Sequence, residues 1–365
     1  MKFYMPTKLY SEPDCIAAHA AELASLGTHA LIVTGRSSSR KNGSLDDVIQ
    51  VLTAHHIQFT VFDQVEENPS VETVMSACEM GLSNGADFVI GIGGGSPMDA
   101  AKAIALMMKH PDKGQSYLYE KADSSALPVA AVPTTCGTGS EVTGVAVLTR
   151  HDLKTKVSMT HRVFPTLALV DGKYILHTPQ NIIVNTAIDA LSHLIESVIN
   201  TLADTYSDMT TFAGLRLWGK CRPYIEGKSL TPSAAQMLMD ASTLAGMSIA
   251  QTGTTIPHAL SYLLTYQGGV PHGVAVGAFQ ANYLQFAEEH RRDAVLQAAG
   301  FSSVEELREL VQRLAPMQVD HALLEHSAEV VLNNPAKLGL CPYPIDEAVM
   351  RELIAGVQCY DESEI

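Results

Sequence analysis

A short apolar run, Phe88-Val89-Ile90-Gly91-Ile92, meets three glycines in a row, Gly93-Gly94-Gly95, and Ser96-Pro97-Met98-Asp99 then opens a helical stretch reading to 108. No other segment constrains the fold as strongly. An apolar run bounded by glycine reads as a strand buried on both faces. Pro97 suits the first turn of a helix, where its missing N–H is not needed. A strand that turns straight into a helix belongs to a parallel sheet, and the free N–H groups at the helix start favour phosphate. Glycines let the main chain come close to such a ligand. The plainer alternative is a tight turn in which Asp99 only stabilises the helix dipole, but that turn requires fewer glycines. The segment is not the GxGxxG fingerprint, and it lies late for an ordinary Rossmann domain. Its place between strand and helix points to pyrophosphate.

The same alternation runs through the first half. Residues 17–26 read as a helix, 30–34 as a strand, 45–55 as a helix and 58–62 as a strand. Then 71–83 and 97–108 read as helices and 128–132 as a strand. The pattern predicts a parallel sheet with helices on both faces and a ligand crevice at the strands' carboxyl ends. It changes at Thr178-Pro179, an N-cap followed by a helix-starting proline. Segments near 179–198, 206–218, 233–250, 274–289, 304–314, 321–332 and 346–357 then read as helical, with no convincing strand. The chain of 365 residues is long enough for two domains. We expect a Rossmann-like α/β domain over 1–178, an all-α domain over 179–365, and a ligand cleft between them.

Three further segments carry chemistry. Pro133-Thr134-Thr135-Cys136-Gly137-Thr138-Gly139-Ser140-Glu141 follows the strand 128–132 and crowds hydroxyls and glycines into one loop. Alone it could be an ordinary polar loop; beside the glycine loop it reads as a second wall of the same site. Asp189 and His193 are four apart on a helix, hence on one face, with His258 and His272 further on. One carboxylate and three imidazoles suit Fe²⁺ or Zn²⁺. Spacing alone leaves open that Asp189 and His193 form an exposed helical pair and that the other two are satisfied core histidines. Thr34-Gly35-Arg36-Ser37-Ser38-Ser39-Arg40-Lys41 places glycine, serines and cations where NAD-preferring folds carry a carboxylate for the ribose. It could hold a 2′-phosphate, or be a solvated basic loop.

Composition excludes several classes. Hydrophobic residues make up 46% and charged ones 17%, enough for a large core and too apolar for a disordered chain. The net charge of -15 argues against nucleic-acid binding, which needs clustered cations. No long apolar stretch spans a membrane, and Met1-Lys2-Phe3-Tyr4-Met5-Pro6 lacks the apolar region of a secretory signal. Cys15, Cys78, Cys136, Cys221, Cys341 and Cys359 are scattered without a CxxC pair, so we expect reduced thiols in a cytoplasmic protein.

Taken together, GGGSPMDAAKA, PTTCGTGSEVT, DALSH, the His258 segment and PHG resemble, in order and over essentially the whole chain, the iron-containing (group III) alcohol dehydrogenase family of the dehydroquinate-synthase-like superfamily. Residues 34–47 and 251–258 look most like its 1,3-propanediol and butanol dehydrogenase branch. The resemblance implies an alcohol dehydrogenase or aldehyde reductase that moves hydride between NAD(P)H and a short-chain alcohol, aldehyde or diol. It further implies a homo-oligomer, a dimer or larger, with no nucleic acid or membrane partner. Asp189, His193, His258 and His272 match the family's metal ligands, for Fe²⁺ or sometimes Zn²⁺, and act catalytically through the metal. Gly94, Gly95 and Ser96 match the pyrophosphate loop, with Asp99 beside it. Thr134, Thr135 and Thr138 match the loop near the nicotinamide ribose and phosphates, and Lys156 a lysine near the ribose. Gly35, with Ser37 and Ser38, falls where a small residue goes with NADP(H) preference over NAD(H). A zinc- and NAD-dependent polyol dehydrogenase of the glycerol type is the alternative. Two departures stand out. Tyr262 occupies the place of a frequent second histidine, as a proton relay or as a packing aromatic. Tyr10-Ser11-Glu12-Pro13-Asp14 replaces a glycine-rich segment.

Overall fold

The computed structural model describes residues 3–360. Six strands form one parallel sheet: β1 (Lys8–Ser11), β2 (His29–Thr34), β3 (Gln58–Phe62), β4 (Phe88–Gly93), β5 (Val129–Pro133) and, after an antiparallel pair β6 (Val147–Arg150) and β7 (Thr155–Ser158), β8 (Leu167–Val170). Their order across the sheet is β1-β8-β5-β4-β2-β3. All pairings in that sheet are parallel.

Alternation on the central strands builds two cores. Leu31, Val33 and Val89 face one side, where they meet helices α2 (Val71–Ser83) and α3 (Gly95–Lys109). Ala30, Ile32, Ile90 and Val132 face the other, against Cys15, Ile16, Leu23 and α1 (Ser44–Ala54). Complete burial of Leu31, Ile32 and Val33 contributes roughly 1.5–3 kcal/mol each. From β2 the chain steps outward to β3, then returns to the opposite side of β2 as β4. This reversal places the loops after β2 and β4 at the sheet's switch point, the usual place for a dinucleotide. Gly93 pairs with Pro133, so the glycine loop and the hydroxyl loop leave neighbouring strands at the same edge.

The second part of the chain is built on α4 (Gln180–Val198), α5 (Thr205–Ile225), α6 (Pro232–Thr252), α7 (Ile256–Tyr266), α8 (His272–Gly277) and α9 (Gln280–Gln285), followed by shorter helices. Compactness divides the molecule into Met5–Thr178 with Leu230–Gly246, and Pro179–Ser229 with the chain from Met247 on. Residues 230–246 join the sheet unit because its loops hold them. Gly139 and Gly246 allow main chains to touch, Gln236 accepts from Gly172 N at 2.8 Å, and Thr243 donates to buried Glu141 at 2.7 Å. In the helical unit, Trp218 on α5 is fully buried and donates to Ala187 O on α4 at 2.7 Å.

Some elements differ from the sequence reading. The helix over 17–26 is two short pieces, Cys15–Ala18 and Ala20–Ala24, because His19 leaves helical geometry. The segment 274–289 likewise divides into α8 and α9. A parallel pair, β9 (Gln318–Asp320) with β10 (Gln358–Tyr360), lies among the C-terminal helices. Strands of three residues are too short to show a period. The six cysteines form no disulfide, and among the described residues no helix is long and apolar enough to cross a membrane.

Candidate active site

From Ala187 to its end every residue of α4 is buried, so Asp189 and His193 do not form an exposed helical pair. Asp189, His258 and His272 each bring a ligand atom within 4.8 Å of the others. Asp189 Oδ1 lies 3.4 Å from His258 Nε2, 3.7 Å from His272 Nε2 and 3.8 Å from His193 Nε2. The His193 ring stacks on His258 with centroids 4.4 Å apart. Asp189, His193 and His258 are at most 5% exposed, and His272 is the part-open member. Burial would raise the Asp189 carboxyl, but the imidazoles of His193, His272 and His258 outweigh it and hold it well below the usual range. Burial would lower His258; Glu196 and Asp189 overcome this and push it up to about 9.

Two atoms test whether the site fits a metal. Asp189 Oδ1 and His258 Nε2 are buried without a hydrogen-bond partner. Leaving such atoms unsatisfied costs about 1–3 kcal/mol each, more when charged. A divalent cation satisfies both, and the three-imidazole, one-carboxylate donor set suits iron or zinc.

The surroundings aim the ligands. Glu196, one further turn along the Asp189–His193 face of α4, is fully buried and accepts from His258 Nδ1 at 2.6 Å. It also accepts from Thr255 N at 2.6 Å, Thr255 Oγ1 at 3.1 Å and Gln280 Nε2 at 2.8 Å. With Nδ1–H donated to an acceptor-only partner, the Nε2 lone pair is the one left for a metal. His272 opens α8, whose start lies against α4: Gly273 has room for no side chain over the Asn185 carbonyl, and Asn185 Oδ1 accepts from Val274 N at 3.0 Å. The sequence reading missed Glu196, although its spacing of three from His193 and seven from Asp189 was a usable signal. Tyr262 stands one turn beyond His258 on α7, half-buried.

In the sheet unit, Gly93 has φ +149°, and a side chain there would strike Pro97. Gly94 and Gly95 lie beneath Thr135 and Thr138: an added Cβ would come within 3.1 Å of Thr135 Oγ1 and 2.9 Å of Thr138 Cγ2. The two loops therefore form one surface over the start of α3. Ser96 Oγ accepts from Asn68 N at 3.1 Å, and Lys156 Nζ donates to Asn68 Oδ1 at 3.2 Å. Asn68, which the sequence reading passed over, thus links Ser96 to Lys156. Asp99 turns inward, accepting from Ser140 Oγ at 2.5 Å and Val147 N at 2.9 Å. Ser37 and Ser38 are exposed just after Gly35. Of the three cations in that loop, Arg40 is taken by Asp63 at 3.1 Å. Arg36 and Lys41 are exposed and have no ion-pair partner among the described residues.

Comparison with known proteins identifies the family. Residues 6–172 match the family described as iron-containing alcohol dehydrogenase, and 183–330 match its C-terminal domain. The chain is 31% identical over 299 residues to the bifunctional aldehyde-alcohol dehydrogenase AdhE of Escherichia coli (strain K12), covering 77% of this chain and 33% of AdhE. It thus spans about a third of that relative's length. It is 28% identical over 294 residues to the NADPH-dependent butanol dehydrogenase of Clostridium saccharobutylicum, covering 78% of this chain and 74% of that one. An iron-containing alcohol dehydrogenase of known structure from Thermotoga maritima superposes with a TM-score of 0.89 at 36% identity, over 96% of this chain and 98% of its own. The chain belongs to the iron-containing alcohol dehydrogenase family.

Proposed function

We propose that this protein is a metal-dependent alcohol dehydrogenase or aldehyde reductase, moving hydride between NADP(H) and a short-chain alcohol, aldehyde or diol. The carrying observation is that Asp189 Oδ1 and His258 Nε2 are buried without a hydrogen bond within a cluster of three imidazoles. Bound there, Fe²⁺ or Zn²⁺ would supply Lewis-acid stabilisation of charge on a substrate oxygen, and a bound nicotinamide would supply or accept the hydride.

The chain's own residues bind and orient. Asp189, His193, His258 and His272 hold the ion, and Glu196 keeps His258 turned toward it. Asp189, His193 and His258 are buried, so the charges there are weakly screened. Gly94, Gly95, Ser96 and the first turn of α3 receive the pyrophosphate through main-chain N–H groups. Thr134, Thr135 and Thr138 offer hydroxyls from the neighbouring loop, and Lys156 would approach the ribose. Gly35 leaves room, and Ser37, Ser38, Arg36 and Lys41 offer donors for a 2′-phosphate. The relative described as an NADPH-dependent butanol dehydrogenase supports this cofactor choice. The test is steady-state kinetics on a panel of alcohols and aldehydes with each nucleotide, after anaerobic reconstitution with Fe²⁺ or Zn²⁺. Short aldehydes should turn over with NADPH. No turnover with either metal and either nucleotide sinks the proposal; a preference for zinc, NAD and glycerol moves it to the polyol class.

A further inference from the structure

Lys102 is the eighth residue of α3 and has no exposed surface. Desolvation strongly disfavours a buried ammonium, and an apolar residue of similar length would fill the space without that penalty. Its partners indicate why a lysine stands there. Lys102 Nζ donates to Ser140 Oγ at 2.6 Å, Val145 O at 2.8 Å and Thr143 Oγ1 at 3.2 Å, with Asp99 Oδ1 at 3.4 Å. Asp99, one turn earlier on α3, accepts from Ser140 Oγ and Val147 N. Burial pulls the Lys102 ammonium below the usual lysine range, and the nearby Asp99 and Glu141 oppose that only in part. Two side chains of a single helix thus grip residues 140, 143 and 145 of the loop that follows β5, and Val147 at the start of β6. Upstream, the same loop lays Thr135 and Thr138 over Gly94 and Gly95 at the start of that helix. Thr134 N donates to Gly93 O at 2.8 Å, a main-chain bond that joins the loop's first residue to the glycine turn.

We propose that Lys102, with Asp99, is a positioning residue for the nucleotide: it sets the height of the hydroxyl loop above the glycine loop without touching the cofactor. This rests on the reading of those loops as the nucleotide site. It also gives Asp99 a supporting role instead of a direct cofactor contact.

The test measures NADPH binding by nicotinamide fluorescence, alongside KM for cofactor and for aldehyde, in the full-length protein. Lys102→Met keeps the length and removes every donor. It should weaken NADPH binding and raise cofactor KM by about tenfold or more, the scale of a small misplacement. Metal content, set in the other unit, should be unchanged. Ser140→Ala removes the shortest clamp bond; it should weaken binding in the same direction, by less, and add little to Lys102→Met. If Lys102→Met does not fold, Ser140→Ala and Thr143→Val carry the test, each expected to weaken NADPH binding. Lower thermal stability with NADPH affinity within twofold of wild type would make Lys102 a packing residue and overturn the proposal. A wild-type protein that binds neither NADPH nor NADH would overturn the nucleotide site itself, a result distinguishable from the first.

Discussion

On the proposed reading, Gly35 is the position at which one side chain should switch nucleotide preference. A Cβ added there meets only Val65 O, at an ordinary 3.5 Å, and the backbone needs no left-handed geometry. Gly35→Asp should therefore fold. Its carboxylate would repel a 2′-phosphate and accept from free ribose hydroxyls. The ratio of kcat/KM for NADPH over NADH should fall by at least about tenfold, or ~1.4 kcal/mol; an unchanged ratio would mean that this loop does not read the 2′ position. Glu196 can be tested the same way. Glu196→Gln puts an amide donor among partners that all donate. Zinc affinity, read by chelator competition on the metal-stripped protein, should drop about 10–100-fold, as for other partners of metal-bound histidines. An unchanged affinity with lowered stability would leave Glu196 as a packing residue.

At the level of elements, what the sequence made legible and what it hid have physical causes. Strands β2, β4 and β5 were readable because they are buried on both faces and so form unbroken apolar runs. Edge strand β1, Lys-Leu-Tyr-Ser, is half polar and carries no such run. Asp189 and His193 were readable as one face of a helix, but spacing could not separate a metal cluster from ordinary core histidines. That distinction needed the distances across α4, α7 and α8. Lys102 was hidden differently: a lone lysine in Ala100-Ala101-Lys102-Ala103-Ile104 looks like a solvent-facing residue until the helix proves apolar all round. Tyr262 remains the α7 position where sequence offered two roles. Its place one turn from His258 fits a half-buried packing aromatic, and a phenol with an ordinary pKa of about 10 is a poor base near neutrality. Tyr262→Phe should lower kcat for aldehyde reduction less than about tenfold across pH 6 to 10, against the 10²–10⁴-fold typical of general acid–base help. A hundredfold loss with the basic limb gone would place Tyr262 in the proton path.

At the level of the whole molecule, the residues proposed for the nucleotide and for the metal divide between the two compact units. Every residue assigned to the nucleotide lies in the sheet unit, and every metal ligand in the helical one. Metal and nucleotide should accordingly bind independently enough to be removed one at a time. Stripping the metal should abolish turnover yet leave NADPH fluorescence changes in place. It should also lower thermal stability, since an ion at 100 times its Kd adds about 2.7 kcal/mol to the folded state. The central claim, that Asp189, His193, His258 and His272 form a catalytic metal centre, is tested most directly by His272→Ala, which alters the part-open ligand and leaves the buried three in place. Elemental analysis and turnover should be measured together after anaerobic reconstitution with Fe²⁺ or Zn²⁺. The account expects a folded protein that has lost its metal and nearly all aldehyde reduction; stoichiometric metal with normal turnover would contradict it.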